Sequence, residues 1–473
     1  MKRSISTVLA LAATAGLAFV AVPAANAAAK AGQKCTKLGE VKNGLTCTAK
    51  GKSRVYVAAA APTTTKAVVA GASTPTPTAA PGLAIVPGFD GKTISVGHLG
   101  NVSVNASFPA SASFATGGKS LTAGFNAAIS RLNDNGGIAK KYKLNPIFKE
   151  TYYTPSEAVK AYAEIKNNVV MIGQIYGTPL AQTLTKSLGE DNLIGSPISL
   201  DAAWVNDPNM FPVGSTYQGQ AINLLDWYVK DGGGAGKTVC AISLANSAYG
   251  NAGEAGFDFG VAQLKLKVGA KIKTSTRPAE AAALKAAGCD AVVATISGEA
   301  NTPGLLAEGA KIDYFPTILA LGPSFATSTV VPSNSIAFQK QVIVATDNSQ
   351  FADEKVPGMK KFMDDIRKYA PQEIGTPNPA AVWGWVQARS IIALLEKAVA
   401  NNDLSKAGIK SAMASLGKLD TEGIFPNWNY VEPAKRVGPA ASNISGVDIS
   451  VPGGLIFKKV VESAAAQAYR PAA

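Results

Sequence analysis

Residues 231–253 read DGGGAGKTVCAISLANSAYGNAG and contain, in order, a glycine-rich segment, a short apolar run and a second loop. The first eight residues come within one position of a nucleotide-binding P-loop, with Asp231 where that motif has glycine. A P-loop follows its strand and opens a helix, whereas this segment precedes an apolar run at 238–244 that is typical of a buried strand. The pattern therefore predicts a helix-to-strand turn, and any binding loop should follow the strand, in LANSAYGNAG.

Apolar segments of strand length and of helix length alternate along most of the chain. The predicted strands are mostly β-branched, as in parallel sheets covered on both faces, and are residues 93–97, 169–173, 192–196, 238–244, 270–274, 290–296, 317–320 and 341–345. Three helical faces are predicted, namely Leu121, Phe125, Ala128 and Leu132; Phe257, Val261, Leu264 and Val268; and Trp385, Ala388, Ile392, Leu395 and Val399. Thr154-Pro155-Ser156-Glu157 combines a capping box with proline at the first helical position, which marks a helix start. Alternating strands and helices predict an α/β fold with parallel sheets.

Open parallel sheets bind ligands beyond the carboxyl ends of their strands. The loops at these places are HLGNVSVNASF, QIYGTPLA, PISLDAAW, LANSAYGNAG, SGEANTPG and GPSFATS. They share small, hydroxylated and aromatic residues and carry few charges. This composition predicts a cleft for a small polar organic molecule.

The first 27 residues have the pattern of an export signal. A basic start is followed by an apolar stretch at 8–22 and by small residues at 25–27. The mature chain is expected to begin near Ala28, outside the cell membrane. No cysteine stands at the cleavage point, and Cys35 lacks the small apolar residues that precede a lipid-attachment site, so a lipoprotein is not predicted. No later segment is predicted to span a bilayer.

Four cysteines in an exported chain predict two disulfides, and their spacing favours Cys35 with Cys47 and Cys240 with Cys289. The first pair would staple a hairpin around an Asn43-Gly44 turn. One histidine in the whole sequence leaves no His/Cys cluster, so neither a metal site nor a cofactor is predicted. Without a G-x-S-x-G elbow or a histidine paired with a nucleophile, the chain is not predicted to be an enzyme.

The positive charge is concentrated near the start of the chain. Residues 1–66 hold ten Lys/Arg and one acidic residue, whereas the rest holds 35 basic and 31 acidic residues. A diffuse basic tail favours anionic wall polymers or a membrane surface, a merely solvated tail is the alternative, and nucleic acid is not predicted as a partner. The predicted units are a signal peptide (1–27), a basic two-cysteine module (28–57), an Ala/Thr/Pro-rich linker (58–91) and a folded body (92–473).

Several segments of the body, in their order, resemble the type I solute-binding proteins of bacterial ABC importers, specifically the leucine/isoleucine/valine- and amide-binding group. The matching segments are ISVGHLG, KSLTAGFNAAISRLNDNGGIAKKYKL, VVMIGQIYGTPLA, NLIGSPISLDAAW, FPVGSTYQGQA and SAYGNAGEAGFDFG. The resemblance covers most of residues 92–460 and implies two Rossmann-like lobes with parallel sheets, joined by a three-crossover hinge. It places lobe 1 at about 92–212 and 328–400, and lobe 2 at about 213–327 with C-terminal elements. The first two crossovers are expected near 211–217 and 322–329.

The resemblance also implies a set of ligand-binding residues. Donors from the first lobe fall near Gly177, Thr178 and Ser199, and Tyr249 would cover the ligand from the second lobe. The acidic residue that amino-acid-binding members often carry in the GPSFATS loop is replaced by Ser324, and Glu299 in the neighbouring loop could substitute for it. His98, at the end of the first strand, is a further candidate.

Each of these assignments has an alternative. Tyr249 could pack on its own lobe, Thr178 and Ser199 could be helix caps, and His98 could be structural. Trp383 and Trp385 are predicted to lie in the core.

The functional hypothesis is an extracellular protein that captures an amino acid, amide or related small acid by lobe closure and delivers it to ABC transporter permease subunits. An extracellular ligand sensor or a cell-wall-associated binding protein of the same fold is the alternative, because fold does not separate import from sensing.

Overall fold

The computed structural model of the 473-residue chain describes residues 33–37, 41–42, 45–50, 53–58, 82–275, 280–299, 301–375 and 378–471. The predicted signal peptide and residues 59–81 of the predicted linker lie outside the described residues. The chain divides into two compact units, Met1–Ala79 and Ala80–Ala473. In the described ranges, no helix combines the length and the apolar character that crossing a membrane requires.

The N-terminal unit contains a small antiparallel sheet stapled by a disulfide. Its strands are β1 (Val41–Lys42), β2 (Leu45–Lys50) and β3 (Ser53–Ala58), in the order β1-β2-β3. Cys35 is bonded to Cys47 with 6.0 Å between their Cα atoms, and the Cys35 N–H donates to the carbonyl of Arg54 over 3.0 Å. The predicted pairing of these two cysteines is confirmed.

Strands and helices alternate through the first part of the second unit, and a run of helices, a run of strands and a final short helix follow. These are β4 (Thr93–Gly100), α1 (Ala110–Asp134), β5 (Lys143–Glu150), α2 (Pro155–Ile165), β6 (Met171–Tyr176), α3 (Thr178–Glu190), β7 (Gly195–Ile198), α4 (Tyr217–Lys230), β8 (Thr238–Leu244), α5 (Ala248–Leu264), β9 (Lys267–Thr274), α6 (Ala281–Ala286), β10 (Ala291–Thr295), α7 (Thr302–Lys311), β11 (Thr317–Leu321), α8 (Ser335–Gln341), β12 (Val342–Thr346), α9 (Pro357–Tyr369), α10 (Gln372–Gly375), α11 (Ala380–Ala400), α12 (Lys406–Ala414), β13 (Gly417–Leu419), β14 (Trp428–Tyr430), β15 (Ser442–Val447), β16 (Leu455–Val461) and α13 (Ala464–Ala468).

Two sheets divide this unit into two lobes. Lobe 1 is built on the four-stranded sheet β5-β4-β6-β7, whose strands are all parallel. Lobe 2 is built on the seven-stranded sheet β16-β15-β12-β11-β10-β8-β9, in which β15 runs antiparallel to the other six strands. The parallel strands are apolar on both faces of each sheet, so helices pack on the sheets and exclude water from them. The predicted α/β fold of two lobes with parallel sheets is confirmed.

The chain passes between the lobes three times. The first passage, at 211–217, takes the chain from β7 to α4 as expected. The second does not lie near 322–329, because β12 continues the lobe 2 sheet beside β11, and the chain returns to lobe 1 only after Thr346. The third lies between β14 and β15. Residues 328–346 therefore belong to lobe 2 rather than to lobe 1.

All eight predicted strands are present, with ends that differ by up to three residues. Val268 was expected on a helical face but lies in β9, because α5 ends at Leu264 and Lys265 takes a left-handed conformation with φ of 52°. Helix α2 begins at Pro155 as predicted, although Thr154 makes no capping bond and donates instead to the carbonyl of Tyr152 over 3.0 Å. The body also begins before residue 92, since Phe89 is buried against the ring of Tyr142.

The second disulfide crosslinks the lobe 2 sheet. Cys240 lies in β8 and Cys289 lies two residues before β10, the strand that pairs with β8, so their Cα atoms are 5.8 Å apart. The predicted pairing is confirmed. By the chain-entropy model, a bond across a separation of 49 residues stabilises the fold by about 4 kcal/mol.

Candidate ligand-binding site

A cavity of about 390 Å³ lies between the carboxyl ends of the strands of lobe 1 and lobe 2. Loops after β6, β7, β8, β10, β11 and β12 all contribute to its wall, together with α1 and the start of α11. This position follows the rule that parallel sheets bind ligands where their strands end. The glycine-rich segment at 232–236 lies at the opposite end of β8, between α4 and β8, and Asp231 there pairs with Lys459.

The predicted donors Thr178 and Ser199 lie on the lobe 1 wall and belong to a chain of hydroxyl groups that ends at Tyr217, the first residue of α4. The indole N–H of Trp204 donates to Ser199 Oγ over 3.0 Å, and Ser199 donates to Thr178 Oγ1 over 2.9 Å. The side chain of Thr178 in turn hydrogen-bonds the phenol of Tyr217. Ser199 donates its one hydroxyl proton to Thr178 and so has none left for a ligand. The hydroxyl at the end of this hydrogen-bonded chain, that of Tyr217, is therefore the donor that the cavity receives.

Neither Thr178 nor Ser199 is a helix cap. Gly177 occupies the cap position of α3, and Asp201 caps the short helical turn at 202–204. Burial raises the pKa of Tyr217 to about 12, so its phenol keeps its proton at physiological pH. Thr178, Ser199 and Tyr217 all line the cavity.

Gly177 is needed for its backbone conformation and for the space it leaves. Its φ is 105°, which is unfavourable for residues with a side chain. A Cβ at this position would lie 2.4 Å from the ring of Tyr153. Glycine therefore lets the Tyr153 ring close over the end of β6.

Aromatic rings contribute to the cavity wall on both lobes. On lobe 1, Tyr153 stacks on Phe114 with 3.8 Å between ring centroids and meets Tyr176 edge-on at 5.4 Å. On the other side, Tyr217 and Tyr249 meet edge-on at 4.7 Å. Such rings supply apolar contact area to a ligand and can stack on an aromatic one. The lining is thus more apolar than the loop sequences predict.

Tyr249 is held in place by Ser324. The Ser324 hydroxyl donates to the carbonyl of Ala294 over 2.7 Å and accepts the N–H of Ile296 over 3.0 Å. The one hydroxyl proton of Ser324 is therefore engaged by Ala294. Tyr249 must then be the donor in the 2.7 Å hydrogen bond between the Tyr249 and Ser324 hydroxyls. Ser324 is fully buried and does not line the cavity, so the expected ligand contact is replaced by a positioning role behind Tyr249.

Two carboxyl groups face the cavity, Glu299 after β10 and Asp347 after β12. Burial raises the pKa of each to about 7. Of the described residues, no Lys, Arg or His side chain lines the cavity. An anionic ligand would therefore meet carboxyl groups that ionise near neutral pH, without a cationic side chain on the wall to offset them.

His98 does not belong to the site. Its ring is buried between Phe125 and Phe148, its Nε2 lies 3.2 Å from the Thr122 hydroxyl, and burial lowers its pKa to about 3. The expectation of a ligand contact at His98 is wrong, because the first-strand loop does not reach the cavity and its place is taken by residues of α1.

The lining residues that were missed from the sequence include Tyr153, Gln220, Asp347 and Trp383. The rule of strand ends would have found Asp347, which follows the predicted strand at 341–345. Tyr153 follows β5, a strand that was not predicted. Trp383 was expected in the core but lies on the cavity wall, while Trp385 is in the core as predicted.

Two α/β lobes that enclose a ligand-sized cavity define a bilobal binding protein. The chain belongs to the periplasmic binding protein family, whose model matches residues 101–440. This is a family of binding proteins rather than of enzymes. Curated protein sequences contain no significant match to the chain.

Solved structures of similar fold include several ABC transporter proteins. A fatty acid ABC transporter substrate-binding protein from Thermomonospora curvata has 23% identity and a TM-score of 0.71, and the match covers 82% of this chain and 97% of that one. A branched-chain amino acid ABC transporter protein from Thermus thermophilus with bound valine has 13% identity and a TM-score of 0.63, covering 79% and 98%. A solute-binding protein from R. palustris in complex with 4-hydroxybenzoate has 16% identity and a TM-score of 0.63, covering 78% and 96%. At these identities the likeness supports the fold, while the ligands differ from one structure to the next.

Proposed function

We propose that this protein captures a small organic molecule between its two lobes, outside the cell membrane, and delivers it to the permease of an ABC transporter. The observation that carries the proposal is the cavity of about 390 Å³ between the strand ends of both lobes. A ligand that touches Tyr176 and Thr178 on one lobe and Tyr249 on the other would favour the closed arrangement of the lobes. Similar structures of substrate-binding proteins for ABC transporters support the transport role.

The ligand class follows from the chemistry of the wall. Aromatic rings favour an apolar or aromatic body, and Glu299 and Asp347 without a cationic neighbour on the wall disfavour a net negative charge. Amino acids and amides from the sequence-based hypothesis remain candidates, because they are zwitterionic or neutral. Small acids that ionise fully fit less well.

A thermal-shift screen of the exported chain tests this proposal. We expect neutral, zwitterionic or cationic compounds with apolar bodies to stabilise the protein, since a ligand at 100 times its Kd adds about 2.7 kcal/mol to the folded state. Deleting the gene should then slow uptake of the same compound by the cell. A screen in which only anions stabilise the protein would contradict the ligand class, and unchanged uptake would contradict the transport role.

The N-terminal unit is proposed to hold the protein at an anionic envelope surface. Residues 28–66 carry eight Lys/Arg and one acidic residue, and the disulfide-stapled sheet forms a compact unit separate from the body. Exposed charges attract an anionic surface over about 8 Å at physiological salt, so the attachment should weaken as salt rises.

Retention on cells can be compared between the full chain, a chain that begins at Gly82, and a full chain with Lys34→Gln and Lys37→Gln. The shortened chain keeps Phe89 and should bind ligand normally but be released from cells. The doubly substituted chain keeps the disulfide and should show intermediate, salt-sensitive retention. Equal retention of the full and shortened chains would rule out this role.

A further inference from the structure

The cavity wall combines aromatic rings with carboxyl groups and lacks a positively charged side chain. The rings of Tyr153, Tyr176 and Trp383 are only partly buried and line the cavity, as does the side chain of Glu299. A second carboxyl, that of Asp347, is buried in the same wall, and none of the described residues adds a Lys, Arg or His side chain. The ionised carboxyl of Glu299 therefore has no counter-charge on the wall, and a cationic ligand would supply one.

Four tyrosine rings of the wall meet in pairs at steep angles. Tyr153 and Tyr176 are inclined at 77° to each other. Tyr217 and Tyr249 are inclined at 69°. Burial raises the pKa of Tyr153, and the nearby phenols of Tyr217 and Tyr249 raise it further, so the two pairs lie close together. Rings inclined in this way can present their faces to one ligand group from several directions.

Ring faces and a carboxyl group occur together on this wall. The face of an aromatic ring carries a partial negative charge and attracts a cation that lies within about 6 Å of the ring centre. Burial raises the pKa of Tyr176, and the carboxyl of Glu299 raises it further, so this carboxyl lies near the Tyr176 phenol. The ring and the carboxyl therefore attract a positively charged group to the same part of the cavity.

From this geometry we infer that the cavity binds an organic cation, whose alkylated ammonium group packs on the tyrosine rings beside Glu299 while its apolar body fills the remaining space. The methyl groups of such an ammonium make apolar contacts with the rings, and a quaternary ammonium has no N–H that needs an acceptor. A neutral ligand of the same shape leaves the Glu299 carboxylate without a counter-charge. The inference rests on the proposed function, because it concerns the same cavity, and it adds the charge class of the ligand.

Probes of equal shape and different charge test the inference by calorimetry with the full chain. Choline is compared with neohexanol, in which a tert-butyl group replaces trimethylammonium, and with the anion of tert-butylacetic acid. Phenyltrimethylammonium and tert-butylbenzene form a second pair with an aromatic body. We expect each cation to bind at least about 10-fold more tightly than its neutral partner, and the anion to bind most weakly.

Variants separate the contribution of the carboxyl from that of the ring face. Glu299→Gln keeps the shape of the side chain and removes its charge, so cations should lose affinity about 10-fold relative to their neutral partners. Tyr176→Leu removes a ring face and should also weaken cation binding selectively, whereas Tyr176→Phe keeps the face and should lose much less. Glu308→Gln is the matched control, because Glu308 pairs with Lys311 on α7 and does not line the cavity. Continued binding of the neutral probes shows that a variant is folded.

The outcomes separate the two proposals. If the neutral or anionic probes bind as tightly as the cations, or if Glu299→Gln and Tyr176→Leu both keep the wild-type preference, this inference is overturned while the proposed function stands. The same holds if no probe binds but the thermal-shift screen finds a neutral ligand. If neither the probes nor the screen yields a ligand, both proposals are overturned.

Discussion

Asp347→Asn is expected to stabilise the ligand-free protein by about 4 kcal/mol at pH 8 and to leave its stability nearly unchanged at pH 4. Burial raises the pKa of Asp347 from its ordinary value of 3.8 to about 7. Ionising this carboxyl therefore costs more free energy in the folded state than in the unfolded state. Each pKa unit corresponds to about 1.4 kcal/mol, which gives the size of the effect. Asparagine keeps the acceptor for Ser215 and cannot ionise.

The direction of the pH dependence follows from the raised pKa. Below about pH 4 the carboxyl is protonated in both states, and wild type and variant should unfold at similar denaturant concentrations. As pH rises from 4 to 7 the wild type loses stability relative to the variant, and above 7 the full difference remains. Asp448→Asn is a matched control, because Asp448 is only partly buried and Ser450 lowers its pKa. A stability difference that does not change with pH would contradict the burial of an ionisable group at this position.

Ala326→Trp is expected to weaken ligand binding by more than about 100-fold without unfolding the protein. Ala326 lines the cavity in extended backbone beyond β11, so an indole there occupies the space of the ligand. A ligand forced to compete with a covalently attached ring loses most of its apolar contacts, and each 1.4 kcal/mol lost is a tenfold change in Kd. The measurement is calorimetry with a compound found by the thermal-shift screen.

Ala262→Trp is the control for the added ring. Ala262 is exposed on α5 and does not line the cavity, so this variant should bind like the wild type. Thermal unfolding of both variants checks that they are folded. Normal binding by Ala326→Trp would place the ligand outside the cavity.

The alternation of strands and helices could be predicted from local sequence patterns, whereas the division into two lobes followed from the resemblance to solute-binding proteins. Buried parallel strands such as β8 and β10 are continuous apolar runs, and the Cys240–Cys289 bond that the cysteine spacing predicted joins β8 to the segment that leads into β10. β5 and β16 were missed because they lie at sheet edges and contain lysines, so they lack such a run. The second passage between lobes was misplaced because β12 joins the lobe 2 sheet through a pairing that no local pattern reveals.

The site was predicted less completely, for reasons that depend on side-chain partners. The loops containing Thr178, Ser199 and Tyr249 do lie on the cavity, because strand ends determine their position. Whether a hydroxyl is free is a different matter, since the protons of Ser199 and Ser324 are used by partners distant in sequence. Asp347 and Gln220 are distant in the sequence. They become neighbours only in the folded protein, where Asp347, after β12, accepts a hydrogen bond from Ser215 in the first passage between the lobes.

The most direct test of the central claim is a crystal structure of the protein with a compound from the screen. We expect the compound to lie in the cavity and to contact Tyr176 or Thr178 of lobe 1 together with Tyr249 or Glu299 of lobe 2. A compound bound elsewhere, or in contact with one lobe alone, would contradict capture between the lobes.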